Sequence, residues 1–227
     1  MEEKYFGKKR VILYPCKQPD APLIYSNDYI EAGAEVIRMA SEIGVPEFHL
    51  VTISNLSWDS DLSPWPHEPV VTKDDHFTGH AAEHMKLMEN EILPWAENEL
   101  AWKPGKRILA GYSMAGLFSA YAPFISDKFD GVLSVSGSVW YPGFEDYFLK
   151  TEFRKKPDAV YFSLGSKETR VSNPALQVTE NVMKNLAKNC KLRGTASVYE
   201  QNPGNHFKDS ELRVVKGIDW VLKELFC

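Results

Sequence analysis

The stretch RILAGYSMAGLFSAYAP, Arg107 to Pro123, sets a serine, Ser113, at the joint between two apolar runs. The first run, KRILAG, is short and bounded, as a buried strand is; the second, MAGLFSAYAPF, has the length of a helix. A hydroxyl between a strand and a helix is either a helix N-cap or a group placed to react. Three features favour reaction. A sharp turn lifts the hydroxyl above the sheet edge. The small flanking residues Gly111 and Ala115 let the helix pass close to neighbouring strands. The free N–H groups of the first helical turn, beginning with Met114, point where an oxyanion would develop and add the favourable end of the helix dipole.

Outward from this joint, strands and helices alternate. RVILYP, PLIYSN and EFHLVTIS read as strands ahead of it, and DGVLSVSG, DAVYFSLG and TASVYEQ after it. YIEAGAEVIRMASEIG, entered through Asn27 and Asp28 and ended by Gly44, reads as a helix, as do ALQVTENVMKNLAKN and the amphipathic DSELRVVKGIDWVLKELF. HAAEHMKLMENEILPWAENELAW has helical spacing over 80–102, with Pro94 set to kink or divide it. Residues 55–79 form a long loop rich in Ser, Asp, Pro and Trp, of the ordered functional kind. No repeat, linker or low-complexity tract interrupts the pattern. It predicts one α/β domain over residues 1–227, with a mostly parallel sheet covered by helices on both faces. Ligands in such sheets bind beyond the carboxyl ends of the strands, so each loop that follows a strand is a candidate site.

Composition narrows the function. The 227 residues are 44% hydrophobic and 25% charged, the balance of a soluble globular protein. A net charge of −5 argues against a nucleic-acid partner. Lys8, Lys9 and Arg10 make too short a run to alter that. No window approaches the ~18 apolar residues of a membrane span, and the charged N-terminus lacks the apolar core of a secretory leader. Cys16, Cys190 and Cys227 are odd in number and widely spaced, which predicts reduced thiols and a cytoplasmic protein. The sequence leaves a homo-oligomer open.

A serine needs a base, normally a histidine held by a carboxylate. Where a nucleophile elbow carries the serine, the chain order is Ser, acid, His. His206 is the only one of the six histidines that follows Ser113, and it stands in a Gly/Asn/Pro loop after the last strand. Glu168 lies just past the strand ending FSLG and is the candidate acid; Asp158 is at that strand's other end, and Asp209 is too near His206 to fold back on it. A Ser–His dyad is the alternative. The second oxyanion donor is expected from the loop after PLIYSND, as the backbone N–H of Asp28 or Tyr29.

Taken together, GYSMAGLFSAYAPFISDKFDGVLSVSGSVWYPG resembles the esterase D / putative esterase family of α/β-hydrolases, which includes enterochelin esterases and S-formylglutathione hydrolases. The family's elbow reads roughly G-x-S-x-G-G-L, and its next strand ends in S-x-S-x-W, here Ser136 to Trp140. LGSKETR and GNHF are similar to its acid and histidine segments. The resemblance implies the α/β-hydrolase fold and ester hydrolysis. It departs from the family at Ala115 and at Trp58, which stands before DLSPWP where an arginine is usual and so removes a contact for an anionic substrate. The N-terminal part is shorter than usual, which implies missing early strands.

Trp65 and Trp140, with Trp58 and Tyr141, fall in loops predicted near the carboxyl edge, where they would bind an apolar or aromatic acyl group. His76, His80 and His84 recur at four-residue spacing but lack the H-E-x-x-H arrangement, so a polar helix face is expected, not a metal site. Cys16 reads as a core thiol. The expectation is a serine carboxylic ester hydrolase that uses Ser113, His206 and Glu168 on a small or aromatic ester, with no cofactor. Two alternatives stand beside it: an acyltransferase with the same residues, and a non-catalytic binding protein that keeps the fold.

Overall fold

Valine, isoleucine and leucine dominate the strands, and several strands are buried along their full length, which only a sheet covered on both faces can satisfy. A computed structural model describes residues 1–18, 20–100 and 105–226. Its strands begin with β1 (Glu2–Phe6), β2 (Lys9–Tyr14), β3 (Leu23–Asn27) and β4 (His49–Ser54). β5 (Pro66–His67) and β6 (Phe77–Thr78) follow as a separate ribbon, then β7 (Arg107–Tyr112), β8 (Gly131–Val135), β9 (Ala159–Gly165) and β10 (Ala196–Asn202). The main sheet has the order β1-β2-β4-β3-β7-β8-β9-β10. β1, β2 and β4 pair antiparallel; β4, β3, β7, β8, β9 and β10 run parallel.

The helices are α1 (Gly33–Ile43), α2 (Trp58–Leu62), α3 (Ala81–Leu87), α4 (Leu93–Glu99), α5 (Met114–Ile125), α6 (Phe144–Lys150), α7 (Pro174–Gln177), α8 (Thr179–Leu192) and α9 (Ser210–Phe226). Two apolar clusters separate the layers. One packs α1 and α9, through Val36, Ala40, Val215, Ile218 and Val221, against Ile24, Leu50, Ile108 and Leu133. The other, on the opposite face, holds Met85, Leu117, Phe118, Phe144, Phe148, Met183 and Leu186. The fold is that of the α/β-hydrolases, as expected.

Several expectations about elements need correction. The early strands are present: β1 and β2 form a hairpin through Gly7, whose φ of 61° suits glycine. β1 is exposed except at Phe6, so it has no apolar alternation to reveal it; Glu3 and Arg10 clasp it to β2 instead. α1 begins at Gly33, not at Tyr29 behind an Asn27–Asp28 entry. The Asp28 N–H donates to the Ile53 carbonyl at 2.8 Å, and the Glu31 carboxylate takes the Gly33 N–H at 2.7 Å, so the segment between stays outside the helix. The long loop contains α2 and the β5–β6 ribbon. The helix that follows it is divided as Pro94 suggested: Met88–Ile92 takes a wider π turn just before the proline, which cannot donate an N–H. That helix's predicted last residues, 101 and 102, lie outside the described residues, as does Cys227.

Candidate active site

The elbow is built as the small residues demand. A Cβ on Gly111 would come within 2.1 Å of the Ala115 carbonyl oxygen, so only glycine fits there. The Ala115 methyl occupies the space that Gly111 leaves, which is how alanine is accommodated where the family pattern has glycine. Ser113 has φ 60° and ψ −124°, a conformation that a non-glycine residue holds only under constraint. The constraint is visible. Its N–H donates to Val135, and its carbonyl accepts from Leu117 and Ser138, which ties the turn to the end of β8.

From this turn the Ser113 hydroxyl reaches His206. Nε2 of His206 lies 3.1 Å from Ser113 Oγ, and its Nδ1 lies 2.7 Å from Glu168 Oε2. The three residues follow β7, β9 and β10, all at the carboxyl edge of the parallel strands. Glu168 is 8% exposed. Its Oε1 accepts from the Gly165 N–H at 2.6 Å, the Ser136 hydroxyl at 2.8 Å and Arg213 Nη1 at 2.9 Å. Burial alone would raise its pKa. The His206 hydrogen bond and charge, the Gly165 N–H and the Ser136 hydroxyl outweigh burial and hold the carboxyl below the ordinary glutamate value.

The Ser113 hydroxyl and His206 open onto a cleft of about 420 Å³, lined among others by Asn27, Asp28, Tyr29, Ile30, Trp58, Phe207 and Glu211. Tyr29, Ile30 and Phe207 are exposed hydrophobics that form an apolar rim, and Tyr29 meets Trp58 edge to face at 5.2 Å. Asp28 is half-buried, and desolvation pushes its carboxyl up to about 6 against the opposing hydrogen bonds from Ser26 and Ala32. The two oxyanion candidates now separate. The Asp28 N–H is taken by Ile53, whereas the N–H groups of Tyr29 and Met114 have no partner among the described residues.

Trp65 and Trp140 are not in this cleft, contrary to expectation. Trp65 is fixed by an indole N–H to the Pro142 carbonyl and by packing against Tyr121, Tyr141 and Tyr147; Trp140 packs on Phe77 and Tyr141. Both serve the aromatic cluster beneath the long loop. Trp58 takes the place in the cleft that these two were expected to fill. The histidine triplet is dispersed. His80 pairs with Ser60 and Thr78, and buried His84 pairs with Asn27 at 2.8 Å; its pKa is lowered to about 3 by desolvation, Lys9 opposing the charge further. No cluster fit to hold a metal occurs among the described residues.

Sequence reading missed Arg213, Tyr112 and Ser136. The signal for Arg213 was present: Arg213, Gly217 and Val221 fall on one buried stripe of α9, and a cation on such a stripe needs a partner.

The fold and this edge of the sheet define an α/β-hydrolase. The family described as "Putative esterase" matches residues 27–209, and the chain belongs to it; it is an esterase. An uncharacterised protein of Bacillus subtilis (strain 168), YbbA, is 24% identical over 208 residues, which cover 82% of this chain and 81% of YbbA. Among solved structures, the siderophore hydrolase EstA from Aspergillus nidulans aligns over 100% of this chain and 94% of its own, at 17% identity and a TM-score of 0.78. An IroE-like serine hydrolase from Shewanella oneidensis aligns over 95% of this chain and 76% of its own, also at 17% identity, with a TM-score of 0.75. No helix among the described residues is long and apolar enough to cross a membrane.

Proposed function

We propose that the chain is a serine carboxylic ester hydrolase working through Ser113, His206 and Glu168 as one domain, without a cofactor, on a small or aromatic ester of neutral charge. The observation that carries this reading is the line of contacts from Ser113 Oγ to His206 at 3.1 Å and on to Glu168 at 2.7 Å, opening onto a cleft.

In this reading His206 Nε2 takes the Ser113 proton as Oγ attacks the ester carbonyl. The oxyanion forms against the N–H groups of Met114 and Tyr29. His206 returns the proton to the departing alcohol, which leaves an acyl-enzyme. Water, deprotonated by the same nitrogen, then releases the acid. Glu168 fixes the tautomer with the proton on Nδ1 and stabilises the imidazolium.

The charge preference follows from the lining. Asp28 and Glu211 line the cleft, and among the described residues no lysine or arginine does. Trp58 and the apolar rim favour an aromatic or alkyl group. The fold shared with a siderophore hydrolase makes siderophore esters candidates, with those of net negative charge disfavoured.

The test uses p-nitrophenyl acetate and butyrate, a neutral aromatic ester with its carboxylate-bearing analogue, and a fluorophosphonate. Ser113→Ala is expected to lose at least about 10³-fold in turnover and to take no fluorophosphonate adduct, while wild type takes one. Preference for the carboxylate-bearing ester would overturn the charge assignment. Equal turnover by the two proteins would overturn the mechanism, and ester product formed mainly with an added alcohol would make it an acyltransferase.

A further inference from the structure

One side chain touches all three segments that carry the triad. Arg213, near the start of α9, is 1% exposed. Its Nη1 donates to Glu168 Oε1 at 2.9 Å, to the Ser136 hydroxyl at 3.1 Å and to the Tyr112 hydroxyl at 3.1 Å. Its Nη2 donates to the carbonyls of Pro203 at 3.0 Å and Asn205 at 2.8 Å, in the loop that carries His206. Tyr112, the residue before the serine, in turn donates its hydroxyl to the His206 carbonyl at 2.6 Å.

The surrounding backbone makes room for this convergence. A Cβ on Gly165 would lie 2.7 Å from Glu168 Oε1, 2.8 Å from Arg213 Nη2 and 2.6 Å from the Gly204 carbonyl. The acid turn and the histidine loop are also joined directly, by Ser166 N–H to Asn202 and Lys167 N–H to Gly204.

We propose that Arg213 is the positioning residue of the triad, the planar cation that sets the acid and histidine loops against the serine elbow and acts on catalysis through Glu168. The proposal rests on the serine-hydrolase reading above. The chemistry requires arginine. Five contacts in two directions suit a rigid fork of donors, which a lysine point charge does not reproduce. The charge also matters. It pairs with the Glu168 carboxylate in a buried place, and it adds a positive charge to the field at the imidazole, which becomes a cation during turnover. The other charged and titratable groups around that ring are Glu168, Tyr112, the cleft carboxylates Asp28 and Glu211, and Lys208 and Asp209 in its own loop.

The experiment compares wild type, Arg213→Lys, Arg213→Met, Glu168→Gln and the double variant Glu168→Gln/Arg213→Met on p-nitrophenyl butyrate, with thermal melts of each. Arg213→Met is expected to lose about 10²-fold in kcat with KM within about threefold, and Arg213→Lys to recover about tenfold of that. The double variant removes both buried charges, so it keeps the test decisive should the single methionine variant fail to fold. It is expected to be no slower than Glu168→Gln alone, because one residue acts through the other. The acid limb of the kcat/KM profile is expected to move to higher pH in Arg213→Met, since the imidazolium loses a neighbouring positive charge. Additive losses in the double variant with an unmoved acid limb would reduce Arg213 to a structural residue. Unchanged kcat in both single Arg213 variants would remove it from the reaction altogether. Failure of wild type to turn over the ester or to label at Ser113 would strike the parent reading instead.

Discussion

Ser113 with His206 and Cys16 with His49 each set a nucleophile beside an imidazole, at opposite edges of the main sheet. At the carboxyl edge Ser113 meets His206 at 3.1 Å beside a cleft of about 420 Å³. At the opposite edge Cys16 Sγ meets His49 Nε2 at 3.6 Å beside a cavity of about 400 Å³. What differs is the second ring nitrogen. His206 Nδ1 faces the Glu168 carboxylate, so the proton sits on Nδ1 and Nε2 is free to accept one. His49 Nδ1 accepts the backbone N–H of Cys16 at 3.1 Å, so the proton sits on Nε2 and faces the sulfur. The thiol proton goes to the Gln18 carbonyl instead. The nucleophiles differ as well. Ser113 opens a buried helix on a strained turn, whereas Cys16 follows β2 in ordinary loop, where burial raises its pKa. A nucleophile beside an imidazole is therefore not yet a catalytic pair. The group behind the ring decides which nitrogen can take the proton.

The largest effect is expected where that group is removed. Glu168→Gln keeps the shape of the side chain but offers no charge to the imidazolium, and its amide can reverse the tautomer of His206. A loss of about 10³-fold in kcat is expected, with melts run alongside because Arg213 then lacks its buried anion. A loss below about tenfold in a folded variant would mean that Ser113 and His206 work as a dyad, and the contrast with Cys16 and His49 would then rest on position alone.

Sequence reading singled out Ser113, His206 and Glu168, which the fold brings together, because each signal is a short-range matter. A polar residue interrupts a strand–helix joint, a lone histidine follows it, and a carboxylate comes directly after a strand. It also recovered the parallel core, whose strands announce themselves by apolar runs. Failures arose where the deciding contact is distant in sequence. β1 is held by pairing and by the Glu3–Arg10 bridge, not by its own pattern. α1 starts four residues late because Asp28 belongs to the hydrogen bonding of β4. Trp65 and Trp140 were assigned to the cleft from loop position, but their rings point into packing that only the folded chain brings together. Arg213 lies 45 residues from the acid it meets.

The cleft also carries a carboxyl, Asp28, that has hydrogen bonds but no ion pair among the described residues. Asp28 has a folded pKa of about 6 against an ordinary value of 3.8, through desolvation. Below about 4 the group is neutral in both states and costs nothing. Between about 4 and 6 the unfolded chain is ionised while the folded group keeps its proton, so stability falls across that window and stays lowered above 6, where the fold must carry the charge. Asp28→Asn is therefore expected to melt a few degrees above wild type at pH 8, for about 1–2 kcal/mol after allowance for partial exposure, with the gap closing toward pH 4. Melting curves at the two pH values check it. A gap of equal size at both would assign the effect to packing, and the cleft would no longer be distinguished by a buried charge.

The smallest effect tests the comparison from its other side. Cys16→Ser is expected to leave ester turnover within about twofold of wild type, because a serine in that place accepts the same Nε2–H and the two sites lie at opposite edges of the sheet. Alkylation of Cys16 by iodoacetamide is expected to be slower than that of free cysteine at pH 8, since burial raises the thiol's pKa and the thiolate is the reacting form. Faster alkylation than free cysteine would show that His49 Nε2–H stabilises the thiolate more than burial opposes it. An acyl group trapped on Cys16 after incubation with p-nitrophenyl acetate would go further. It would make the second pair a nucleophile in its own right and leave the orienting group behind the ring no longer sufficient to tell the two sites apart.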